Sequence, residues 1–199
     1  YAYGGPEQAI SMLNTMLDLK ISDYVTVNFN AMIDIVDALG GIEVDLTEDE
    51  LYWTNEYCGE TSIVTDKSYE PLTAAGVQTL GGVQATAYCR IRYTAGSDFK
   101  RTERQRLTMQ AILKKVKQLS PEEMIELAEV IMPNVKTDVD ERDIYSYLLA
   151  VVRMGTTKIH QFSLPIEGGY TSQTIRGQSC LVPDLPSNKS ALKKFLFKS

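Results

Sequence analysis

Residues 21–46 read "ISDYVTVNFNAMIDIVDALGGIEVDL", and how they divide decides the fold. β-Branched and aromatic residues mark "ISDYVTVNF" (21–29) as a strand. From Asn30 the apolar residues of "NAMIDIVDALGG" (30–41) recur at helical spacing until Gly40 and Gly41 end the run. "IEVDL" (42–46) then alternates apolar and acidic residues with the period of a second strand. A strand, a helix and a strand within about 25 residues indicate the α/β class, in which helices cover a sheet.

Toward the N-terminus, Pro6 opens a helix over "PEQAISMLNTMLDL", with Ile10, Leu13, Met16 and Leu17 at helical spacing. Beyond the second strand, residues 47–76 are polar and turn-rich, with Asp66, Pro71 and Gly76, and read as a long excursion without assigned elements. "GVQATAYCRIRY" leads into a basic segment and then a helix through "TMQAILKKVKQL", ended near Ser120-Pro121. "PEEMIELAEVIM" is the next helix, with acidic residues in its first turn. "DERDIYSYLLAVVRMG" is another, and its apolar residues Ile144, Tyr145, Tyr147, Leu148, Leu149, Val151 and Val152 nearly encircle it, which predicts a helix that is buried or lines an apolar cavity, burial being the stronger reading. "KIHQFSLPI" and "SCLVP" read as strands, and "PSNKSALKKFLF" as a terminal helix. At 199 residues, one domain over 1–199 is expected.

Hydrophobic residues at 44% and charged residues at 23% are ordinary for a soluble globular protein and exclude a disordered chain. No apolar run reaches the roughly 18 residues of a membrane helix, and no signal peptide opens the sequence. It starts at Tyr1 without a methionine, so an upstream segment is expected to have been removed. Cys58, Cys89 and Cys180 are too dispersed for a CxxC motif and His160 is the only histidine, so no zinc site is expected. A disulfide between Cys58 and Cys180 and a set of separate thiols are both open readings. His160, alone on its strand and with no G-x-S-x-G present, reads as structural rather than as part of a hydrolase. The carboxylates of "TEDE" (47–50) and "DVDERD" (138–143) read as helix starts rather than metal ligands.

Charge is segregated. Residues 90–117 hold nine lysines and arginines against Asp98 and Glu103, in a chain whose net charge is -6. A solvated helix face is the ordinary reading of such a run. At about 100° per residue, the stripe of Met109, Ile112, Leu113 and Val116 extends backward through Gln105, Arg101 and Asp98, while Lys100 and Arg104 point away. An inward Arg101 near a helix N-terminus needs an anion. Asp98 would also have to serve Arg90 and Arg92, which lie about 6 to 7 Å apart if "RIR" is extended. A phosphate or pyrophosphate balances three guanidiniums where one carboxylate does not.

"GVQTLGGVQATAYCRIRYTAGSDFKRTERQR" closely resembles the signature of the LytR-CpsA-Psr family, through Gly76, Leu80, Gly82 and Gln84, then Tyr88, Arg90 and Arg92, then Asp98, Arg101 and Gln105. "YAYGGPEQAI", "DYVTVNFNAMIDIVDALGGIEVDL" and "LVPDLPSNKSAL" are similar to the family as well, so the resemblance covers nearly the whole chain. It implies an α/β/α sandwich, with a central mixed sheet flanked by helices and an apolar channel for a lipid tail. It implies a bacterial cell-envelope phosphotransferase, anchored by a membrane helix with its domain outside the membrane. Such an enzyme moves teichoic acid or capsular polysaccharide from a polyprenyl-pyrophosphate carrier to peptidoglycan, with Mg²⁺ assisting. An older family label, transcriptional attenuator, carries no chemistry.

By the same resemblance, Arg90, Arg92 and Arg101 clamp the pyrophosphate and Gln105 adds a hydrogen bond. Asp98 orients the arginines or assists the incoming hydroxyl, so Asp98 and Arg101 are the catalytic candidates. The family's domain ordinarily begins upstream of "YAYGG", with strands that carry the magnesium-binding aspartates and another arginine, beyond Tyr1. Cys89 stands where a small residue such as Ala or Val is common. A second reading is a non-catalytic module that binds lipid-linked pyrophosphate or an anionic wall polymer. Nucleic acid is not an expected partner, because the rest of the chain is strongly acidic and the basic run lacks interleaved aromatics.

Overall fold

The computed structural model describes residues 4–93, 97–153 and 160–197. In chain order the elements are α1 (Gly5–Leu17), β1 (Val25–Val27), α2 (Phe29–Ala38), β2 (Ile42–Leu46), α3 (Glu48–Thr65), β3 (Gly76–Leu80), α4 (Gly82–Arg90) and α5 (Ser97–Val116). There follow α6 (Pro121–Ile131), a 3₁₀ turn (Met132–Asn134), β4 (Val135–Thr137), α7 (Glu141–Arg153), β5 (Tyr170–Ile175), β6 (Gln178–Pro183) and α8 (Leu185–Phe197). The mixture of helix and strand is the α/β class read from the sequence. Among the described residues the strands pair two by two in small antiparallel sheets, β1 with β4, β2 with β3 and β5 with β6. β1 and β2 flank α2 yet take different partners; the register of β2 against β3 sets Ile42 opposite Leu80, both fully buried.

The chain divides into two compact units. In the first, residues 1–24 and 159–199, α1 packs on α8 and β5–β6 forms a hairpin. Arg176 and Gly177 turn the hairpin with φ of 51° and 79°, the left-handed pair that suits the twist of adjoining strands. Asn188 is 1% exposed and satisfied: its Oδ1 accepts from the Ile166 N–H at 2.9 Å, and its Nδ2 donates to the carbonyls of Gly169 and Asp184 at 2.7 Å each. His160 and Gln161 stand in neither a helix nor a strand, so no strand is found in the described part of "KIHQFSLPI"; Lys158 and Ile159 lie outside the described residues.

The second unit, residues 25–158, holds the core. The inward side chains of β2, Ile42, Val44 and Leu46, cluster with Leu80 of β3, Val36 of α2, Ala85 and Tyr88 of α4, and Ile91. Helix α2 starts at Phe29, one residue before the start expected at Asn30. Asn28, not Asn30, is the cap, its Oδ1 accepting from the Ala31 N–H at 2.8 Å.

The 47–76 segment departs most from expectation. Thr47 and Glu50 close a reciprocal capping box and start an 18-residue helix, α3. Its buried stripe is Thr54, Cys58, Thr61 and Thr65, which carries no aliphatic periodicity. The threonine hydroxyls donate to the carbonyls one turn back, of Glu50, Tyr57 and Thr61, at 2.6 to 2.7 Å, so they enter the core satisfied. Helix α7 also corrects the sequence reading. Tyr145, Tyr147 and Leu149 are exposed, Ile144 and Val151 half-buried, and the side chains of Leu148 and Val152 lie outside the described residues.

Candidate functional site

Helix α4 builds the site because it can approach α2 closely. A Cβ on Gly82 would stand 2.4 Å from the Ile33 carbonyl oxygen, so only glycine fits there. Asp37 accepts from the Gly82 N–H at 2.7 Å, and Gln84 Oε1 accepts from the Gly81 N–H at 2.7 Å while its Nε2 donates to the Glu70 carbonyl. The helix runs through Cys89 to Arg90, its last residue. Ile91 then turns into the core with ψ of 126°, leaving Arg92 and Tyr93 exposed. "RIR" is therefore not a strand, because the helix extends to Arg90 before the chain straightens.

Arg90 is held by four side chains. Its guanidinium donates to Thr61 Oγ1 at 2.8 Å and to Glu60 Oε2 at 3.0 Å, and lies 5.1 Å from the Tyr57 ring centroid and 5.2 Å from that of Phe29. Tyr57, Glu60 and Thr61 share one face of α3 at i, i+3 and i+4. A guanidinium between two rings is attracted by both quadrupoles and cannot swing freely. Burial pushes the Tyr57 phenol above its ordinary range, and the positive charges of Arg90 and Arg92 oppose that rise, so both arginines lie within electrostatic reach of one hydroxyl.

On α5 the predicted partition of charge is reversed for one residue. Lys100 is exposed and pairs with Glu103 at 2.9 Å, as expected of a solvated face. Arg104, read as outward, is 3% exposed. Its Nε donates to Glu50 Oε1 at 2.8 Å, its Nη1 donates to the Ile91 carbonyl at 3.2 Å, and its guanidinium sits 6.0 Å from the Tyr88 ring. Glu50 uses its other oxygen in the capping box of α3. One carboxylate thus joins the start of α3 to α5 and, through Arg104, to the residue between Arg90 and Arg92.

The inward face of α5 runs through Arg104, fully buried Thr108, Ala111 and Ile112, whereas Met109, the centre of the predicted stripe, is 58% exposed. Arg101 is half-buried. Gln105 is exposed, with its Nε2 3.5 Å from the Cys89 carbonyl oxygen, so it lies over the end of α4 rather than in the core. Asp98 occupies the first turn of α5 and its side chain lies outside the described residues. The structure accordingly brings Arg90, Arg92 and Gln105 to the exit of α4. Arg101 is one turn from Gln105 on the same helix.

The family model described as the LytR_cpsA_psr family matches residues 1–195. The chain belongs to that family. Biofilm regulatory protein A of Streptococcus mutans is 33% identical over 146 residues, which is 70% of this chain and 33% of that protein. A polyisoprenyl-teichoic acid–peptidoglycan teichoic acid transferase, TagU, of Enterococcus faecalis is 31% identical over 145 residues, 72% of this chain and 43% of that protein. A solved Enterococcus faecalis structure described as a transcriptional regulator superposes with a TM-score of 0.69 at 29% identity, over 99% of this chain and 67% of that one. The chain thus spans between a third and a half of the length of the curated relatives it matches.

The LytR_cpsA_psr signature residues now have physical tasks: Gly82 permits the α2–α4 contact, Gln84 ties the helix start, Tyr88 underlies Arg104, and Arg90 ends the helix. Among the described residues no three His, Cys, Asp or Glu side chains converge to hold a metal, so Mg²⁺ finds no ligand set in them. All three cysteines are free thiols. Cys89 is half-buried with Sγ 3.2 Å from Thr108 Oγ1, and burial raises its thiol, so it packs rather than reacts. A separate cleft of 390 Å³, between Glu43, Thr79, Lys114 and Lys115, lies at the other end of α5, about 15 Å along the helix from Gln105.

Proposed function

We propose that this chain carries the pyrophosphate-binding part of a cell-wall glycopolymer phosphotransferase, acting at the outer face of a bacterial membrane. The observation that carries the reading is the exit of α4, where Arg90 is preorganised between two rings, with Arg92 and Gln105 beside it, in an otherwise acidic protein. Relatives named teichoic acid transferases support it. The donor would be a polyprenyl-pyrophosphate-linked glycan and the acceptor a peptidoglycan hydroxyl. Among the described residues no helix is long and apolar enough to cross a membrane.

In this reading the acceptor oxygen attacks the glycan-bearing phosphorus, and the bond to the bridging oxygen breaks. Glycosyl-phosphoryl peptidoglycan forms and polyprenyl phosphate leaves. Arg90 and Arg92, with Arg101 and Gln105 from α5, donate to the non-bridging and leaving oxygens as charge develops there; positioned donors are the main resource for this chemistry. Asp98 would orient these arginines or take the acceptor proton. Glu60 pairs with Arg90 and must release it when phosphate oxygens arrive. The exposed apolar residues of α7 suit a wall of the tail channel.

The test is binding of farnesyl pyrophosphate to the wild-type chain and to Arg90→Ala and Arg101→Ala, followed by transfer of a lipid-linked glycan to peptidoglycan in the presence of Mg²⁺. Weaker binding in both variants together with turnover supports the enzyme. Binding without turnover favours the non-catalytic module, and unchanged binding in both variants removes the pyrophosphate site altogether.

A further inference from the structure

An aromatic row continues from Arg90 along α3. Tyr57 covers Arg90; Tyr93 stacks on Tyr57 with ring centroids 6.4 Å apart and lies 4.9 Å from Trp53; Tyr52 meets Trp53 edge-on at 5.1 Å. Trp53 and Tyr57 root the row in the core, while Tyr93 and Tyr52 are 70% and 58% exposed. Trp53, Tyr57 and Glu60 follow one helical face, so the row runs about 10 Å from Trp53 to the arginine.

Four large rings at a surface, three of them phenols, do not make the dry enclosure that an isoprenoid tail requires. They make a half-open ledge, apolar on its faces and wet at its edges, which is how tyrosine and tryptophan serve at interfaces. A pyranose has the complementary form, an apolar C–H face with hydroxyls that remain in water. The geometry points to a saccharide subsite on Tyr52, Trp53 and Tyr93, taking the sugar attached to the phosphate that Arg90 holds. The inference rests on the pyrophosphate reading above and adds which side of that group lies on α3: the glycan, not the lipid.

Trp53 is the only tryptophan of the chain, so its fluorescence reports occupancy of the ledge directly. The probes are N-acetylglucosamine 1-phosphate, inorganic phosphate, inorganic pyrophosphate and farnesyl pyrophosphate, added to the wild-type chain and to Tyr52→Ala, Tyr93→Ala and Arg90→Ala. The sugar phosphate should change Trp53 emission and the inorganic anions should not. Tyr93→Ala should weaken the sugar phosphate about tenfold, Tyr52→Ala less, and both should leave pyrophosphate within about twofold. Both tyrosines are exposed, so folded variants are expected, checked by circular dichroism. An emission change with farnesyl pyrophosphate and none with the sugar phosphate overturns the subsite in favour of the tail. If Arg90→Ala weakens pyrophosphate while the tyrosine variants keep full affinity for the sugar phosphate, the ledge fails and the pyrophosphate reading stands. If Arg90→Ala leaves pyrophosphate binding intact, the reading beneath the inference falls with it.

Discussion

Arg104 and Arg90 come from the same basic segment and meet opposite fates. Arg104 is sealed between α3, α5 and Ile91, where its carboxylate partner Glu50 is only 14% exposed. Arg90 is fixed by aromatic faces, and its carboxylate partner, Glu60, is 65% exposed. The sealed arginine has no room for a ligand and holds the fold. The edge arginine is preorganised yet covered on one side by a carboxylate that can leave. Density of charge in the sequence does not separate these roles; the exposure of the counter-charge does.

The comparison breaks most readily at Arg104. Removing one member of a buried ion pair strands the other, so Arg104→Ala should lose about 3 to 5 kcal/mol of stability in urea unfolding, and Glu50→Ala nearly as much. Replacing both by apolar residues of similar volume should recover most of that loss. Arg90→Ala should cost stability only about 1 kcal/mol, since its ion pair is mostly solvated and its ring contacts are partly exposed. A large stability loss at Arg90, or a small one at Arg104, would erase the distinction.

The sealed side also has a pH signature. Burial pushes the Cys58 thiol up from 9.0 to about 12. The folded state therefore keeps a proton that the unfolded chain releases above about pH 9, so stability is full below that pH and falls as pH rises toward 12, by about 1.4 kcal/mol per unit for this one group. Unfolding at pH 8 and pH 10.5, in wild type and Cys58→Ala, should show a smaller decline in the variant. On the open side, Asn28→Ala removes the cap of α2 directly before Phe29 and should cost about 1 kcal/mol. Glu60→Gln, which weakens the competitor of any anion at Arg90, should tighten pyrophosphate binding about threefold, the smallest effect expected here.

Elements with aliphatic periodicity were legible in advance: α1, α2, β2, α6 and α8 all lie where the sequence placed them. Helix α3 was not, because its buried stripe is threonine and cysteine, whose hydroxyls return to their own helix. Only its start was legible, in the carboxylates of "TEDE", where Thr47 and Glu50 form the capping box. The orientation of α5 is not legible from a stripe centred on Met109, because that methionine is exposed and the buried stripe holds Arg104 and Thr108. Arg90, Arg92 and Gln105 were legible as a group through the family signature. The α3 residues that position Arg90, namely Tyr57, Glu60 and Thr61, come from the segment that lacked a pattern, and only the fold brings them there.

The most direct measurement is a calorimetric titration of inorganic pyrophosphate into the wild-type chain and Arg90→Ala, each shown to be folded by its unfolding curve. The account predicts at least about a tenfold loss of affinity in Arg90→Ala, with stability nearly retained. Equal affinity in the two proteins would contradict it.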